Sequence, residues 1–255
     1  MKKALILFCI VLIFTAAGCN TAPYQKPLIG ITSVYKDNSN SVSYNYVKAI
    51  EQNNGIPLIL PTAENEDTIE IYVKKLDALV LIGGDDIPPS AYGQTPDSSV
   101  KIMADERYNF ESRLIKKWLD TGKPTLGVCL GMQFANVVSG GTMIQDIPSQ
   151  IGQTVDHRCK EKLHKITIDP SSSLAKILSS TQAQVYSTHH QAVSDIGQNL
   201  KPVAHSDDGI VEALERTDGN FGLFVQWHPE AMTNDLDHRD AIYSALIKAC
   251  LISRK

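Results

Sequence analysis

From Leu28 onward, short apolar runs alternate with longer amphipathic stretches, and this alternation is the strongest constraint on the fold. The run over 78–82 is apolar throughout, which is typical of a strand covered on both faces. Alternating strands and helices predict an α/β domain with an open, mainly parallel twisted sheet flanked by helices. The first half predicts, in order, strand 28–31, helix 41–53, strand 57–60, a helix capped by Asp67, strand 78–82, helix 105–119, strand 125–128 and helix 131–138.

The second half of the chain carries more β signals, so we expect extra β structure there. Its predicted elements are strands at 165–168, 183–186, 203–205, 211–214 and 222–226 and a final helix over 240–252. No linker rich in Pro, Gly or Ser divides the chain after residue 26, so residues 27–255 are predicted to form one domain. The net charge of −4, without a long basic run, argues against a nucleic-acid partner.

The first twenty residues have a different character. Lys2 and Lys3 precede an apolar run over 4–14, and small residues then precede Cys19, an order typical of a signal peptide. The small residues before Cys19 resemble the lipobox of bacterial lipoproteins, in which this cysteine is lipidated and becomes the new N-terminus. A plain secretory signal is the alternative. We predict a lipoprotein-type signal peptide over 1–18 and a tether over 19–26. The expected protein is exported and anchored to a membrane through Cys19, facing the periplasm or the cell exterior.

Gly127, Cys129 and Gly131 stand between a predicted buried strand and a predicted helix. A nucleophile on such a sharp turn needs small neighbours, as in the GxSxG elbow of α/β hydrolases. Cys129 would then lie at a helix N-terminus, where the helix dipole and free N–H groups favour a thiolate. Taken alone, the pattern fits equally well a small buried cysteine between two incidental glycines.

His228 and Glu230 follow an apolar strand, at the edge of the sheet where α/β folds place their ligands. A histidine with a near-neutral pKa can deprotonate a thiol and later protonate an amine leaving group. Glu230 could orient the imidazole and stabilise its positive charge. With Cys129 these residues predict a cysteine hydrolase, and a strand end followed by a proline turn is the alternative.

Several ordered motifs resemble a known family. The segments 127–133 and 227–230 resemble the two signatures of class I glutamine amidotransferases. The segment 82–93 resembles the GG-x-D-x-x-P-x-x-Y motif of the γ-glutamyl-γ-aminobutyrate hydrolase branch, and 164–166 and 187–193 also fit that branch. The resemblance implies the class I glutamine amidotransferase-like fold over nearly the whole predicted domain.

The resemblance implies Cys129 as nucleophile, His228 as base and Glu230 as the residue that orients it. The implied reaction cleaves γ-glutamyl amide or isopeptide bonds of a small-molecule substrate through a γ-glutamyl thioester, releasing glutamate and an amine. We expect no metal and no organic cofactor. The alternatives are a glutaminase that supplies ammonia to a synthetase, a poly-γ-glutamyl folate hydrolase, and a binding module without activity, which the complete triad disfavours.

Four further residues complete the expected site. The resemblance implies an oxyanion hole formed by the backbone N–H groups of Gly84 and Leu130. It places Gln133 in contact with the glutamyl group, and one helical turn would bring Gln133 to the same face as the nucleophile. His189 is an additional candidate for a pocket-lining, substrate-binding residue.

Two positions depart from the pattern of the branch. Tyr108 stands where the family commonly has aspartate, and Tyr186 stands where asparagine is frequent. Arg107 and Glu111 lie four residues apart, and we expect them to form an ion pair on a helix surface rather than a substrate contact. These departures leave the triad positions intact and bear on the choice of leaving amine.

Overall fold

The computed structural model describes residues 26–158 and 163–253 of the chain. In chain order, its strands are β1 (Leu28–Ile31), β2 (Val34–Lys36), β3 (Ser39–Ser41), β4 (Ile56–Ile59), β5 (Ala78–Leu81), β6 (Thr125–Val128), β7 (Met143–Ile144), β8 (His164–Ile168), β9 (Gln182–Val185), β10 (Ala192–Val193), β11 (Leu200–Ser206), β12 (Val211–Arg216) and β13 (Gly222–Val225). Its α-helices are α1 (Tyr44–Gln52), α2 (Glu66–Lys75), α3 (Asp105–Asp120), α4 (Leu130–Val138), α5 (Ile147–Gln150), α6 (Ser173–Leu178) and α7 (Leu236–Ser253). Two 3-10 turns span Pro89–Tyr92 and Pro229–Ala231.

An open nine-stranded sheet in the order β4-β1-β5-β6-β13-β12-β11-β8-β9 runs through the molecule. Neighbouring strands from β4 to β13 pair in parallel, and those from β13 to β9 pair antiparallel. Parallel neighbours need a crossover connection, and α1, α2 and α3 supply it for the first strands. The predicted α/β fold is confirmed, and the extra β structure of the second half forms the antiparallel extension.

Both faces of the central strand β5 are buried, as its continuous apolar run predicts. Ala78 and Val80 belong to a core that also contains buried residues of α1 and α7. Leu79 and Leu81 point to the opposite face, into a core shared with α3 and α4. The sheet is therefore the middle of three layers, and the carboxyl ends of its central strands emerge between the helices.

Helix boundaries differ from the predictions where caps decide them. Helix α2 begins one residue earlier than Asp67, because the side chain of Asn65 accepts the Asp67 N–H at 2.8 Å and caps the helix. The predicted cap at Asp67 is therefore wrong. Helix α7 begins at Leu236, four residues before the predicted start.

Several short elements were not predicted from the sequence. Strands β2 and β3 form a hairpin whose two loop residues, Asp37 and Asn38, both have positive φ, as in the tight turns that match strand twist. Strands β7 and β10 pair across a large sequence separation. Such two- and three-residue strands carry too few residues for a periodic pattern.

The predicted N-terminal features need correction. Cys19, the leader over 1–18 and all but the last residue of the tether over 19–26 lie outside the described residues. Within 26–158 and 163–253, no helix is long and apolar enough to cross a membrane. The prediction of a membrane-anchored lipoprotein with a signal peptide is therefore wrong as stated, since nothing in the described part of the chain supports it.

Helix α4 packs against β5 and β6 at a distance that only glycine permits. A Cβ atom at Gly131 would overlap the carbonyl group of Leu81, and one at Gly127 would lie 2.8 Å from the carbonyl oxygen of Gly131. Real Cβ atoms do not approach backbone so closely, so any side chain at either position would push the helix away from the sheet. The two glycines around Cys129 are therefore required by packing.

We predict that Gly131→Ala lowers the free energy of unfolding by about 1–3 kcal/mol, the usual cost of overfilling a packed core. Urea denaturation followed by circular dichroism measures the change. Lys116→Ala, on the exposed face of α3, is the control and should stay within about 0.5 kcal/mol of wild type. A Gly131→Ala protein as stable as the control would contradict this packing argument.

Candidate active site

Three motifs that are distant in sequence meet at the carboxyl ends of three adjacent parallel strands. Strands β5, β6 and β13 are neighbours in register, and Gly83, Cys129 and His228 follow them. A Cβ atom built on Gly83 would lie 3.0 Å from His228 Cε1 and 3.7 Å from Cys129 Cβ. The structure thus brings the glycine loop, the cysteine and the histidine into direct contact.

Cys129 occupies a sharp turn between β6 and α4. Its backbone has φ 53° and ψ −108°, a combination that side-chain sterics disfavour and that surrounding structure must enforce. Its N–H donates to the carbonyl of Val225 at 2.8 Å, and its own carbonyl accepts from Met132 N at 3.0 Å. The strained residue is thereby fixed between β13 and the first turn of α4, with 8% of its surface exposed.

The imidazole of His228 lies between Glu230 and Cys129. Its Nδ1 is 2.7 Å from Glu230 Oε1, and a Cβ atom built on Gly83 would lie 3.8 Å from His228 Nε2 and 3.7 Å from Cys129 Cβ. Burial by itself disfavours the charged ring, but the charges of Glu230 and Cys129 and the hydrogen bonds to both hold the pKa of His228 well above its usual value.

Two tyrosines surround the carboxylate of Glu230, which is 5% exposed. Burial, and next the negative charge of Glu230, raise the pKa values of Tyr46 and Tyr243 well above the ordinary value, so both phenols stay neutral. The hydroxyl of Tyr46 also accepts the N–H of Gly83 at 3.4 Å. Tyr46 therefore lies between the glycine loop and the Glu230 carboxylate, a role that the sequence did not reveal.

The two residues expected to form an oxyanion hole lie side by side. A Cβ atom on Gly84 would be 3.2 Å from Leu130 Cδ2. Leu130 is the first residue of α4, and N–H groups in a first helical turn have no partner within the helix. Gly84 and Leu130 are thus neighbours, and the part of their N–H groups in catalysis stays a prediction.

Arg107 and Glu111 form a buried pair instead of the expected ion pair on the surface. Arg107 Nε lies 2.7 Å from Glu111 Oε1, and the two side chains are 2% and 0% exposed. Arg107 Nη2 also donates to the carbonyl oxygen of Gly83 at 3.2 Å, and a Cβ atom on Gly84 would overlap the guanidinium. The prediction of an ion pair on the helix surface is wrong. The face of α3 that carries Arg107 and Glu111 packs toward the glycine loop, and Arg107 contacts that loop.

The two predicted substrate-binding side chains are engaged with protein groups. Gln133 is buried and its Nε2 donates to Gln191 O and to Gln226 Oε1, each at 3.2 Å. His189 is also buried, with Nδ1 2.9 Å from Gln191 O and Nε2 3.6 Å from Glu212 Oε1. Both side chains thus contact protein groups, and substrate binding by Gln133 and His189 stays a prediction.

The two tyrosines that depart from the family pattern pack against the core. Tyr108 stacks on Phe134 of α4, with ring centroids 5.7 Å apart. Tyr186 packs beside the core that contains α7, and its carbonyl accepts the N–H of His228 at 2.9 Å. That contact uses only the backbone, so replacing asparagine by tyrosine at this position is compatible with the placement of His228.

His190 connects the motif after β5 to a second loop. Its Nε2 is 3.1 Å from Asp86 Oδ2, and its Nδ1 is 3.1 Å from Asp146 Oδ1. The hydrogen bond to Asp86 is the main cause that raises the pKa of His190. The histidine pair in the 187–193 motif therefore separates into a buried His189 and a His190 that bridges two carboxylates.

Comparison with known proteins agrees with this geometry. The profile of the family described as Peptidase C26 matches residues 27–230. A glutamine amidotransferase-like protein of Rickettsia prowazekii (strain Madrid E) is 34% identical over 88% of this chain and 98% of the relative. The γ-glutamyl-γ-aminobutyrate hydrolase of Escherichia coli O157:H7 is 29% identical over 80% of this chain and 84% of the relative.

A solved structure extends the comparison to the fold. The glutamine amidotransferase of Thermotoga maritima matches with a TM-score of 0.58 at 14% identity, over 90% of this chain and 98% of that chain. At this identity the likeness supports the fold alone. The family profile covers the glycine loop, the elbow cysteine and the His-Pro-Glu segment, and the chain therefore belongs to the peptidase C26 family.

Proposed function

We propose that this protein is a cysteine hydrolase of γ-glutamyl amide bonds, with Cys129 as nucleophile, His228 as acid and base, and Glu230 as the orienting carboxylate. The observation that carries the proposal is that Cys129 and His228 both lie against Gly83, and that His228 Nδ1 is 2.7 Å from Glu230 Oε1. Such a nucleophile, base and orienter is the arrangement used for acyl transfer in unrelated folds.

In the first step, the Cys129 sulfur attacks the γ-carbonyl carbon, a C–S bond forms and the carbonyl oxygen becomes negative. The N–H groups of Gly84 and Leu130 stabilise this oxyanion, and one such donor is typically worth roughly 3–4 kcal/mol. The C–N bond then breaks, and the departing amine takes its proton from His228. The product of this half-reaction is a γ-glutamyl thioester on Cys129.

The second step hydrolyses the thioester, and acylation itself prepares His228 for it. His228 is neutral once it has given its proton to the departing amine. The neutral ring can then accept a proton from water. The resulting hydroxide attacks the thioester carbon, the C–S bond breaks and glutamate leaves, so the protonated His228 and the Cys129 sulfur return to their starting state.

The proposed γ-glutamyl specificity is inferred from the names of similar proteins and not from the shape of a binding pocket. One relative is named as a γ-glutamyl-γ-aminobutyrate hydrolase, and others carry glutamine amidotransferase-like names. Both kinds of name involve a glutamyl group joined to nitrogen through its side chain. We therefore assign the glutamyl half of the substrate and leave the amine to experiment.

A substrate panel tests the proposed function. Purified protein is incubated with γ-glutamyl-γ-aminobutyrate, a γ-glutamyl dipeptide, a poly-γ-glutamyl folate and glutamine, and released glutamate is measured. We expect turnover of at least one γ-glutamyl amine at a higher kcat/KM than glutamine. Glutamine cleaved far better than every other substrate would instead favour an ammonia-supplying glutaminase, and a folded protein inactive on all four would favour a binding module.

Substitution of the three proposed catalytic residues should give graded losses. Cys129→Ala should abolish turnover, and His228→Ala should lower kcat by about 10²–10⁴-fold or more, because His228 performs both proton transfers. Glu230→Gln should retain more activity than His228→Ala, because Glu230 only orients and stabilises the ring. Steady-state kinetics on the best substrate of the panel measures the order.

His205 supplies the matched control, because it is exposed on β11 and lies outside the site. His205→Ala should keep the wild-type kcat. Full activity of Cys129→Ala, or a loss in His205→Ala equal to that in His228→Ala, would remove the basis for the proposed triad.

Arg107 is expected to be a positioning residue for the oxyanion loop. Arg107→Lys keeps the charge but lacks the planar fork that contacts both Glu111 and the Gly83 carbonyl. We expect kcat to fall at least about tenfold, equivalent to 1.4 kcal/mol, with a smaller change in KM, because the loop donates mainly to the transition state.

The matched control for this prediction is Arg113→Lys on the same helix, since Arg113 pairs with Glu66 at the surface. Its kcat should stay near wild type. Circular dichroism of each variant first establishes that it is folded. A folded Arg107→Lys protein with unchanged kcat would show that the buried pair serves stability alone.

A further inference from the structure

Three histidines converge on one carboxylate outside the proposed catalytic site. His157 precedes β8, His164 begins β8, His189 follows β9 and Glu212 lies in β12. Glu212 Oε1 is 3.2 Å from His157 Nδ1, 3.1 Å from His164 Nε2 and 3.6 Å from His189 Nε2. His157 and His189 are each 4% exposed and Glu212 is 0% exposed, so four separate segments meet at one buried point.

Hydrogen bonds within the protein do not account for this convergence. A carboxylate oxygen has two lone pairs, yet three imidazoles face Glu212 Oε1. Only His164 Nε2 reaches it with hydrogen-bond geometry, whereas His157 Nδ1, His189 Nε2 and Glu212 Oε2 are buried without a hydrogen-bond partner among the described residues. Buried polar atoms without a partner are costly, so the ring nitrogens point toward a shared centre beside the oxygen.

In His157 and His189, the ring nitrogen that faces away from Glu212 has a partner of its own, and this partner shows which nitrogen carries the proton. His189 Nδ1 lies 2.9 Å from the carbonyl oxygen of Gln191, which can only accept, so Nδ1 carries the proton. His157 Nε2 lies 3.0 Å from Asp208 Oδ2, and Asp208 in turn accepts from Ser206 Oγ at 2.6 Å. In neutral rings the nitrogens that face Glu212 therefore present lone pairs to its carboxylate, and this repulsion is relieved by a second ring proton or by a metal cation bound between them.

The spacing fits a tetrahedral metal centre. Zinc binds imidazole nitrogen at about 2.0–2.1 Å and carboxylate oxygen at about 2.0–2.2 Å, which places neighbouring ligands of a tetrahedron about 3.3–3.5 Å apart. The three nitrogen-to-oxygen distances at Glu212, from 3.1 to 3.6 Å, bracket this value. Metal-binding histidines also characteristically donate their other ring N–H to a carboxylate or a backbone carbonyl, as His157 and His189 do.

We propose that His157 Nδ1, His164 Nε2 and Glu212 Oε1, which all lie within 4.8 Å of one another, bind one Zn²⁺ ion, and that His189 Nε2, 3.6 Å from Glu212 Oε1, closes in as the fourth ligand. Four protein ligands fill a tetrahedron, which is the pattern of a structural rather than a catalytic zinc site. The ion ties the segment before β8 and the loop after β9 to β12. A cavity of about 410 Å³ that His157 and His189 line offers it a path from solvent. The proposal departs from the expectation of no metal and does not depend on the proposed reaction.

The test measures metal binding in protein that carries Cys129→Ala, which removes the proposed thiolate as a competing ligand. The chain is stripped with a chelator, and Zn²⁺ is titrated by calorimetry. We expect one equivalent per chain, with binding at least a hundredfold weaker in His157→Ala and in Glu212→Gln. Asp208→Asn should weaken binding about 10–100-fold, as expected when an outer partner of a ligand is lost. His205→Ala, the exposed histidine control, should bind as the parent does.

Cobalt spectroscopy keeps the proposal falsifiable when a ligand variant does not fold. Co²⁺ bound to the folded Cys129→Ala parent should show the intense visible bands of a tetrahedral site and should be displaced by Zn²⁺. A folded, stripped parent that binds neither metal would overturn the proposal and leave protonated histidines sharing the carboxylate. Octahedral cobalt bands, or Zn²⁺ binding unchanged in folded His157→Ala, would also overturn it.

Discussion

The close approach of α4 to β5 is the constraint on which the site depends. Gly131 packs against the Leu81 carbonyl, and Gly127 packs against the Gly131 carbonyl. The backbone between β6 and α4 therefore cannot move to a less strained conformation. Cys129 is therefore held at a positive φ, in a backbone conformation that few residues with side chains adopt. The same contact places Leu130, the first residue of the helix, beside Gly84 of the adjacent strand end. Packing thus fixes Cys129 and Leu130 next to each other and next to Gly84, the three residues to which the proposed mechanism assigns the nucleophile and the oxyanion donors.

Buried polar groups hold the other two strand ends in place. Arg107, which is paired with Glu111, donates a hydrogen bond to the Gly83 carbonyl. The hydroxyl of Tyr46, beside Glu230, accepts the N–H of the same glycine. Removing one partner of a buried ion pair typically costs about 3–5 kcal/mol, so the buried pair strongly favours a single conformation of the glycine loop. A preorganised loop is what electrostatic stabilisation of an oxyanion requires. Stability and proposed catalysis consequently rest on the same side chains.

The parts of the fold that local pattern determines were predictable. Apolar runs such as 78–82 become the parallel strands, and a glycine on each side of Cys129 predicts the elbow because sterics demand it. Contacts across the fold were not predictable from spacing. An Arg and a Glu four residues apart give the same sequence pattern whether they lie on the surface or under a loop. Only the structure shows that Arg107 and Glu111 are buried. The cluster around Glu212 draws on four distant segments and shows no metal-ligand spacing in the sequence.

We predict a single γ-glutamyl thioester on Cys129, whatever amine leaves. The most direct measurement adds hydroxylamine during turnover of several γ-glutamyl amines and compares the yields of γ-glutamyl hydroxamate and glutamate. Because the amine has left before water or hydroxylamine attacks, the ratio of the two products should be the same for every substrate. A ratio that changes with the leaving amine would mean that no common acyl-enzyme forms, and would contradict the proposed role of Cys129.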